Sequence, residues 1–106
     1  VYTKMNKDLQ KDPNSVKLIH TYDKVHWFCR AGLEYGAHHL GVYGYTRQAL
    51  DAYPKLHVCN EETIEKLEQL RWLQNDYTMS AYEVKFDGME INTPEDLTQW
   101  HKQNYQ

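Results

Sequence analysis

At 106 residues the chain has the length of one domain, and its formal net charge of −3, from 15 acidic and 12 basic side chains, leaves no basic stripe to neutralise a nucleic-acid backbone and no polybasic anchor for a membrane. Hydrophobic residues make up 41 %, but nine Tyr and three Trp supply much of that bulk, and polar-tipped aromatics favour edges and binding surfaces over deep burial. No apolar run reaches the length of a spanning helix or a signal segment, and the two cysteines, Cys29 and Cys59, are too few for a disulfide framework, so free thiols in a cytoplasmic protein are expected.

The chain opens at Val1 on a strand-like run to Met5, without an initiator methionine, as a piece of a longer protein would. Residues 6 to 15 are polar, contain Pro13 and read as a short helix or turn followed by a loop. A hairpin follows: Val16 to His20 and Val25 to Arg30 are rich in β-formers, and Thr21-Tyr22-Asp23-Lys24 reverses the chain. Strict alternation in the second arm puts Val25, Trp27 and Cys29 on one side and His26, Phe28 and Arg30 on the other. After a loop over residues 31 to 37, His38 to Thr46 reads as a buried strand that also carries ligand-spaced polar groups. Leu40, Val42 and Gly44 share its core face; His39, Gly41, Tyr43 and Tyr45 share the other. At roughly 3.3 Å per residue the imidazole of His39 and the phenol of Tyr43 stand about 13 Å apart, with side-chain-free Gly41 between them. Two readings of that face stand: a binding floor, or a packed surface whose polar groups are satisfied within the fold.

Residues 47 to 55 form a short helix ending before Pro54. Asn60-Glu61-Glu62 starts a second, with a capping side chain and two acids at the positive end of the dipole. Ile64, Leu67, Leu70 and Leu73 then recur every three residues, giving a helix over residues 60 to 74. A turn at Asn75-Asp76 leads to a strand from Tyr77 to Val84, and Asp87-Gly88 turns into Met89-Glu90-Ile91. Thr93 caps a final helix with Pro94 at its first position and an acid at the third. Strands and helices alternating in the later half point to a single α/β domain.

Several chemistries are not signalled. His57-x-Cys59 lacks a second ligand pair at finger spacing, and there is no Gly-rich phosphate loop and no G-x-S-x-G elbow. On the helix, Glu68 lies at the rim of the leucine stripe and Gln69 beyond it, where solvated residues commonly sit.

Taken together, HHLGVYGY (His38 to Tyr45), LEQLR (Leu67 to Arg71) and INTPEDL (Ile91 to Leu97) resemble the later half of the 3-deoxy-manno-octulosonate cytidylyltransferases, or CMP-Kdo synthetases. Their patterns there are K/R-H-I/L-G-I-Y-A/G-Y-R, L-E-Q-L-R and V-D-T-P-E-D-L. Asp12-Pro13-Asn14-Ser15-Val16-Lys17 is similar to the family's N-P-N-x-V-K, and Trp27-Phe28-Cys29-Arg30 to its Y-F-S-R. The resemblance runs from about residue 12 to residue 98.

It implies part of a nucleotide-diphosphosugar-transferase-like (Rossmann-like) α/β fold, a mixed sheet with flanking helices, in which a sugar's anomeric hydroxyl attacks the α-phosphate of CTP and pyrophosphate leaves. It also implies Mg2+ at the phosphates. Carried over by position, Arg30 holds the sugar acid's carboxylate, and His39, Tyr43, Glu68 and Gln69 contact the sugar, which reverses the solvated reading of the last two. Departures are Thr46 for the family's Arg, Ala31 to Tyr35 without the family's prolines, and a shortened connection to the strand. Asn92 stands for the family's metal-ligand Asp; its amide brings no charge, so metal affinity should fall. The family's Gly- and Lys-bearing nucleotide loop has no counterpart in these residues. The chain is thus read as the C-terminal, sugar-binding part of a cytidylyltransferase acting on CTP and a Kdo-like acidic sugar, or as a non-catalytic sugar-acid-binding or interaction module derived from one. The hairpin's apolar row with Trp27 and an open strand edge favour a homodimer.

Overall fold

Four strands make one sheet in the order β1-β4-β2-β3: β1 Tyr2–Thr3, β2 Lys17–Thr21, β3 Lys24–Cys29 and β4 Ala37–His39, antiparallel at every named pair. The structure is a computed structural model and describes residues 1–86, 91 and 93–104. Helices α1 Arg47–Ala52, α2 Asn60–Glu65, α3 Leu70–Gln74 and α4 Pro94–Asn104 follow the sheet. The expected turn and strand at 87–90, and Asn92, lie outside the described residues.

The hairpin forms where the sequence places it, but its second arm does not alternate strictly. Ile19 pairs with Trp27 and His20 with Val25, so His26 is an extra, unpaired residue. Such a bulge shifts the side-chain parity by one. Val25 and Phe28, three apart, therefore both enter the core, while Trp27 is only partly buried, in place of the expected Val25-Trp27-Cys29 face. The core joins Leu18, Val25 and Phe28 of the sheet to Leu67, Leu70 and Ala81.

Opposite Leu18, the side chain of Lys17 is wholly buried. Its ammonium donates to the carbonyls of Asp12 (2.7 Å), Ser15 (3.0 Å) and Arg30 (2.9 Å), so all three donors are used. Burial lowers its pKa, against the opposing charges of Asp12 and Glu65. Beside it, burial raises the pKa of Cys29, which makes that free thiol unreactive.

The expected strand from His38 to Thr46 ends at His39. Val42 donates to the carbonyl of Leu40 at 2.7 Å, a three-residue turn centred on Gly41, and the chain leaves the sheet. Leu40 stays buried, but Val42, expected on the core face, is 66 % exposed. Thr46 then caps α1, its hydroxyl accepting from the Ala49 N–H at 3.1 Å, so the residue that replaces the family's Arg has a local structural task.

The expected helix over 60 to 74 is two helices. Three residues advance a helix by about 300°, so a three-residue repeat drifts about 60° per step and cannot hold four side chains on one face. The chain breaks instead at Lys66, in the left-handed region at φ 57°. Leu67 donates to the carbonyl of Glu62 and Lys66 to the same carbonyl, a Schellman-type end. Leu67 and Leu70 are buried, Leu73 is partly buried, and Ile64 is 75 % exposed. Cys59, not Asn60, takes the cap position and makes no side-chain cap bond.

Residues 77–84 are extended but form only two isolated bridges, one at each edge of the sheet: Ser80 antiparallel to Lys24 and Glu83 parallel to Tyr2. This parallel bridge makes the sheet mixed. At α4, Thr93 and Asp96 form a reciprocal capping box, with N–H to oxygen distances of 3.1 Å each way, as the motif requires. No residue of α4 is buried.

A left-handed residue with a Cβ costs about 1–2 kcal/mol. Lys66→Gly should therefore raise stability by about 1 kcal/mol, measured as a shift of the urea midpoint with unchanged slope.

Candidate functional site

Arg30, His39, Tyr43, Glu68 and Gln69 come from three separate segments and line one cavity of about 250 Å3, with Asn14, Val16, Gly41, Lys66 and Leu67 completing its wall. Each is positioned by a feature described above. The turn at Gly41 folds Tyr43 back so that its ring centroid lies 5.3 Å from that of His39, not the expected 13 Å or so of a straight strand. The break after Glu65 places Glu68 and Gln69 in the non-helical link between α2 and α3 rather than on a helix face.

Arg30 is held on three sides. Its backbone N–H donates to Glu65 Oε2 (2.8 Å), its Nε to the Glu65 carbonyl (2.9 Å) and its Nη1 to the Pro13 carbonyl (3.3 Å), while its own carbonyl accepts from Lys17. Two of the five guanidinium donors are thereby committed and three remain for a ligand. Lys17 and Glu65 position this arginine; the sequence reading gave neither a role, Lys17 entering only as part of a motif resemblance. A lone lysine in the otherwise apolar run Val16 to Ile19 was the available signal.

His39 is 7 % exposed, packed edge-on against Phe28 at 5.0 Å, and its Nε2 is buried without a hydrogen-bond partner among the described residues. Burial, with smaller contributions from the charges of the terminal amine and His38, lowers its pKa to about 4. The imidazole is neutral at pH 7, and its buried Nε2 makes no hydrogen bond to a described residue.

The link carrying Glu68 and Gln69 is braced from behind. Arg71 spans it with a bidentate pair to buried Glu62 (2.8 and 3.1 Å) and lies 4.2 Å over the ring of Tyr53, whose hydroxyl donates to the Glu68 carbonyl at 3.0 Å. Gln69 is buried and Glu68 exposed. A larger cavity of about 950 Å3 is also lined by His39 and Tyr43, with Leu18, Val25, Phe28 and Trp72 among its other residues. Among the described residues no three His, Cys, Asp or Glu side chains come together to hold a metal ion, and Asn92 lies outside them. Among the described residues no helix is long and apolar enough to cross a membrane.

A sheet flanked by helices, with a cavity lined by one arginine and several neutral and acidic polar groups, defines an α/β protein with a polar cavity. No family model matches the chain. It is 40 % identical over 104 residues to the 3-deoxy-manno-octulosonate cytidylyltransferase of a Nitratiruptor species, covering 91 % of this chain and 44 % of that protein. It is 33 % identical to the enzyme of the same name from Elusimicrobium minutum, covering 95 % and 46 %, and 37 % identical to the 8-amino-3,8-dideoxy-manno-octulosonate cytidylyltransferase of Shewanella halifaxensis, covering 81 % and 39 %. A solved structure of CMP:2-keto-3-deoxy-manno-octonic acid synthetase complexed with CTP superposes with a TM-score of 0.83 at 25 % identity, over 96 % of this chain and 46 % of that one. The chain is similar over nearly all its length to a portion of the CMP-Kdo synthetases, as its motifs indicate, and shares their α/β fold. It spans less than half the length of these relatives.

The depressed pKa of His39 has a definite sign in stability. As pH falls below 6.5 the unfolded chain takes up this proton while the folded one does not, so stability is full above 6.5 and declines as pH drops toward about 4. The group should remove about 2 kcal/mol between pH 7 and about pH 5. His39→Phe keeps a ring against Phe28 and should abolish that increment, read by urea unfolding of both proteins at the two pH values.

Proposed function

We propose that this chain is the C-terminal, sugar-binding portion of a cytidylyltransferase that transfers CMP from CTP to an acidic sugar, 3-deoxy-manno-octulosonate or its 8-amino-3,8-dideoxy form, and releases pyrophosphate. The observation that carries this reading is the convergence of Arg30, His39, Tyr43, Glu68 and Gln69 on one cavity. The similarity to enzymes of that name supports it.

In this reading the free donors of Arg30 grip the sugar's carboxylate with a planar fork, held in aim by Glu65, Pro13 and Lys17. The amide of Gln69 and the carboxylate of Glu68 take hydroxyls, and the neutral ring of His39 lines the cavity beside them. With a pKa near 4, His39 is too weak a base to keep the proton of an attacking hydroxyl, so its part is orientation. Attack on a phosphate needs such positioning more than covalent help from the protein. The rest of the enzyme supplies the groups that hold CTP, together with Mg2+, and covers the larger cavity beside His39.

Titration calorimetry tests this on the chain itself. Saturable binding of 3-deoxy-manno-octulosonate is expected, weakened roughly ten-fold or more in Arg30→Gln, since a charge-assisted hydrogen bond is worth about 1.5–3 kcal/mol. CTP alone should give no saturable heat, and transfer should appear only when the rest of the enzyme is added. Sugar binding without transfer under that condition would mark a non-catalytic sugar-acid module instead.

The proposal includes self-association. β3 is a sheet edge, and residues 79–81 cover only its first two positions, leaving the stretch with half-buried Trp27 open to a second copy. Sedimentation at tens of micromolar, a loose working range, should show a dimer; a monomer removes this part.

A further inference from the structure

Lys66 stands on the wall of the sugar-acid cavity with Arg30, and the function proposed above gives it no task. We propose that its ammonium is a second cationic contact for the ligand's carboxylate, which makes Lys66 a further binding and specificity-determining residue for acidic sugars. The inference rests on the sugar-acid reading and adds to it how the charge of the acid is balanced.

The charges that line the cavity call for such a contact. Arg30 and Lys66 are positive, Glu68 is negative and His39 is neutral at pH 7, which leaves one net positive charge. A single bound carboxylate neutralises it. Without the charge of Lys66 the carboxylate of the ligand and that of Glu68 would share one arginine, and the occupied cavity would be negative.

Backbone geometry brings the two cations together. Arg30 Nε donates to the Glu65 carbonyl at 2.9 Å, and that carbonyl belongs to the peptide bond leading into Lys66. The guanidinium and the lysine stem therefore start from neighbouring points of one wall. Lys66 is exposed, and among the described residues its ammonium makes no ion pair. The nearby carboxylates are engaged elsewhere: Glu65 accepts the backbone N–H of Arg30 at 2.8 Å, and Glu62 pairs with Arg71. Arg30 is fixed in aim, whereas a compact charge on a flexible four-carbon stem follows the anion it meets.

The residue type at this position points the same way. Lys66 has φ 57° and ψ 45° at the end of α2, where glycine or asparagine is favoured because a Cβ crowds the backbone. A lysine there forgoes stability at the wall of a cavity, where strained backbone and function commonly coincide. A cation at the end of α2 also complements the helix dipole, but that benefit needs no ligand.

Calorimetry of the chain with 3-deoxy-manno-octulosonate at neutral pH, in about 0.01 M and about 1 M salt, tests this, since the screening length falls from about 30 Å to about 3 Å between them. Lys66→Gln keeps a long side chain in the left-handed conformation and removes only the charge. At low salt it should weaken binding roughly five-fold, the upper range for an exposed ion pair, and the gap from wild type should close at high salt. Lys66→Arg should retain the wild-type affinity. Lys66→Gly should bind as weakly as Lys66→Gln while unfolding at a higher urea concentration than wild type, a separation of binding from stability that a capping role does not produce. Equal affinities of wild type and Lys66→Gln at low salt, a gap that persists at high salt, or an equal loss in Lys66→Arg overturns the inference and leaves the sugar-acid reading standing. Absence of saturable binding by the wild type overturns that reading and this inference with it.

Discussion

The ammonium of Lys17 holds together the parts on which the rest of the molecule depends. A charged amine out of water costs several kcal/mol unless every donor finds a partner, and here three carbonyls from two places in the chain provide them. Two belong to the 12–15 turn and the third to Arg30, so one side chain fixes a loop to the sheet and sets the end of β3. From Arg30 the connection continues to Glu65 at the end of α2, through both backbone and guanidinium. Sheet, loop and helix are thereby tied at the wall of the cavity. The rigidity of the arginine that faces the ligand is inherited from a lysine that does not reach it.

Two local irregularities then do what regular structure could not. A straight strand would hold His39 and Tyr43 far apart on one face, and a continuous helix would turn Glu68 and Gln69 to different sides. The three-residue turn at Gly41 and the left-handed Lys66 bend both segments inward, toward each other. Each bend is paid for locally: Leu40 and Leu67, which flank the bends, remain buried. The Glu62–Arg71 pair reaches across the second bend and keeps α2 and α3 in fixed relation, so the irregular link between them presents its side chains in one arrangement.

Composition, the hairpin, the Pro54 stop, the Thr93 capping box and the α/β class were legible because each rests on local chemistry: β-branched runs, turn residues, a missing N–H, reciprocal cap bonds. What was not legible depended on contacts distant in sequence. The bulge at His26 has no signature of its own, and it alone decides whether Trp27 or Phe28 enters the core. The helix break was half visible, since a three-residue repeat is incompatible with a helical face, but its position at Lys66 uses a residue with no preference for the left-handed region. Of the residues that line the cavity, His39, Gly41 and Tyr43 were offered by strand spacing as one of two readings, while Arg30, Glu68 and Gln69 were found through motif resemblance. Spacing by itself left Glu68 and Gln69 in solvent, because their meeting with His39 is a tertiary fact. Lys17 and Glu65 were missed for the same reason.

On the proposed function, the site's composition also explains how a chain of this length can carry a separable chemical task. Recognising a sugar acid requires one well-aimed cation and a set of neutral or acidic groups that discriminate hydroxyls, and a thin core can support that, because only Arg30, His39 and Gln69 need be constrained against desolvation. Holding a triphosphate requires several convergent cations or backbone N–H groups, and the described cavity walls, with Arg30 and Lys66 set against Glu68, carry too little positive charge for it. The two tasks call for opposite electrostatic surroundings. A cavity that must tolerate the carboxylate of Glu68 beside the ligand is poorly placed to gather phosphates as well, and separating sugar recognition from nucleotide recognition on different parts of a longer fold resolves that conflict. The neutral, buried imidazole of His39 lines both the smaller cavity and the larger one, so a charge there would act on both, and its burial keeps it neutral.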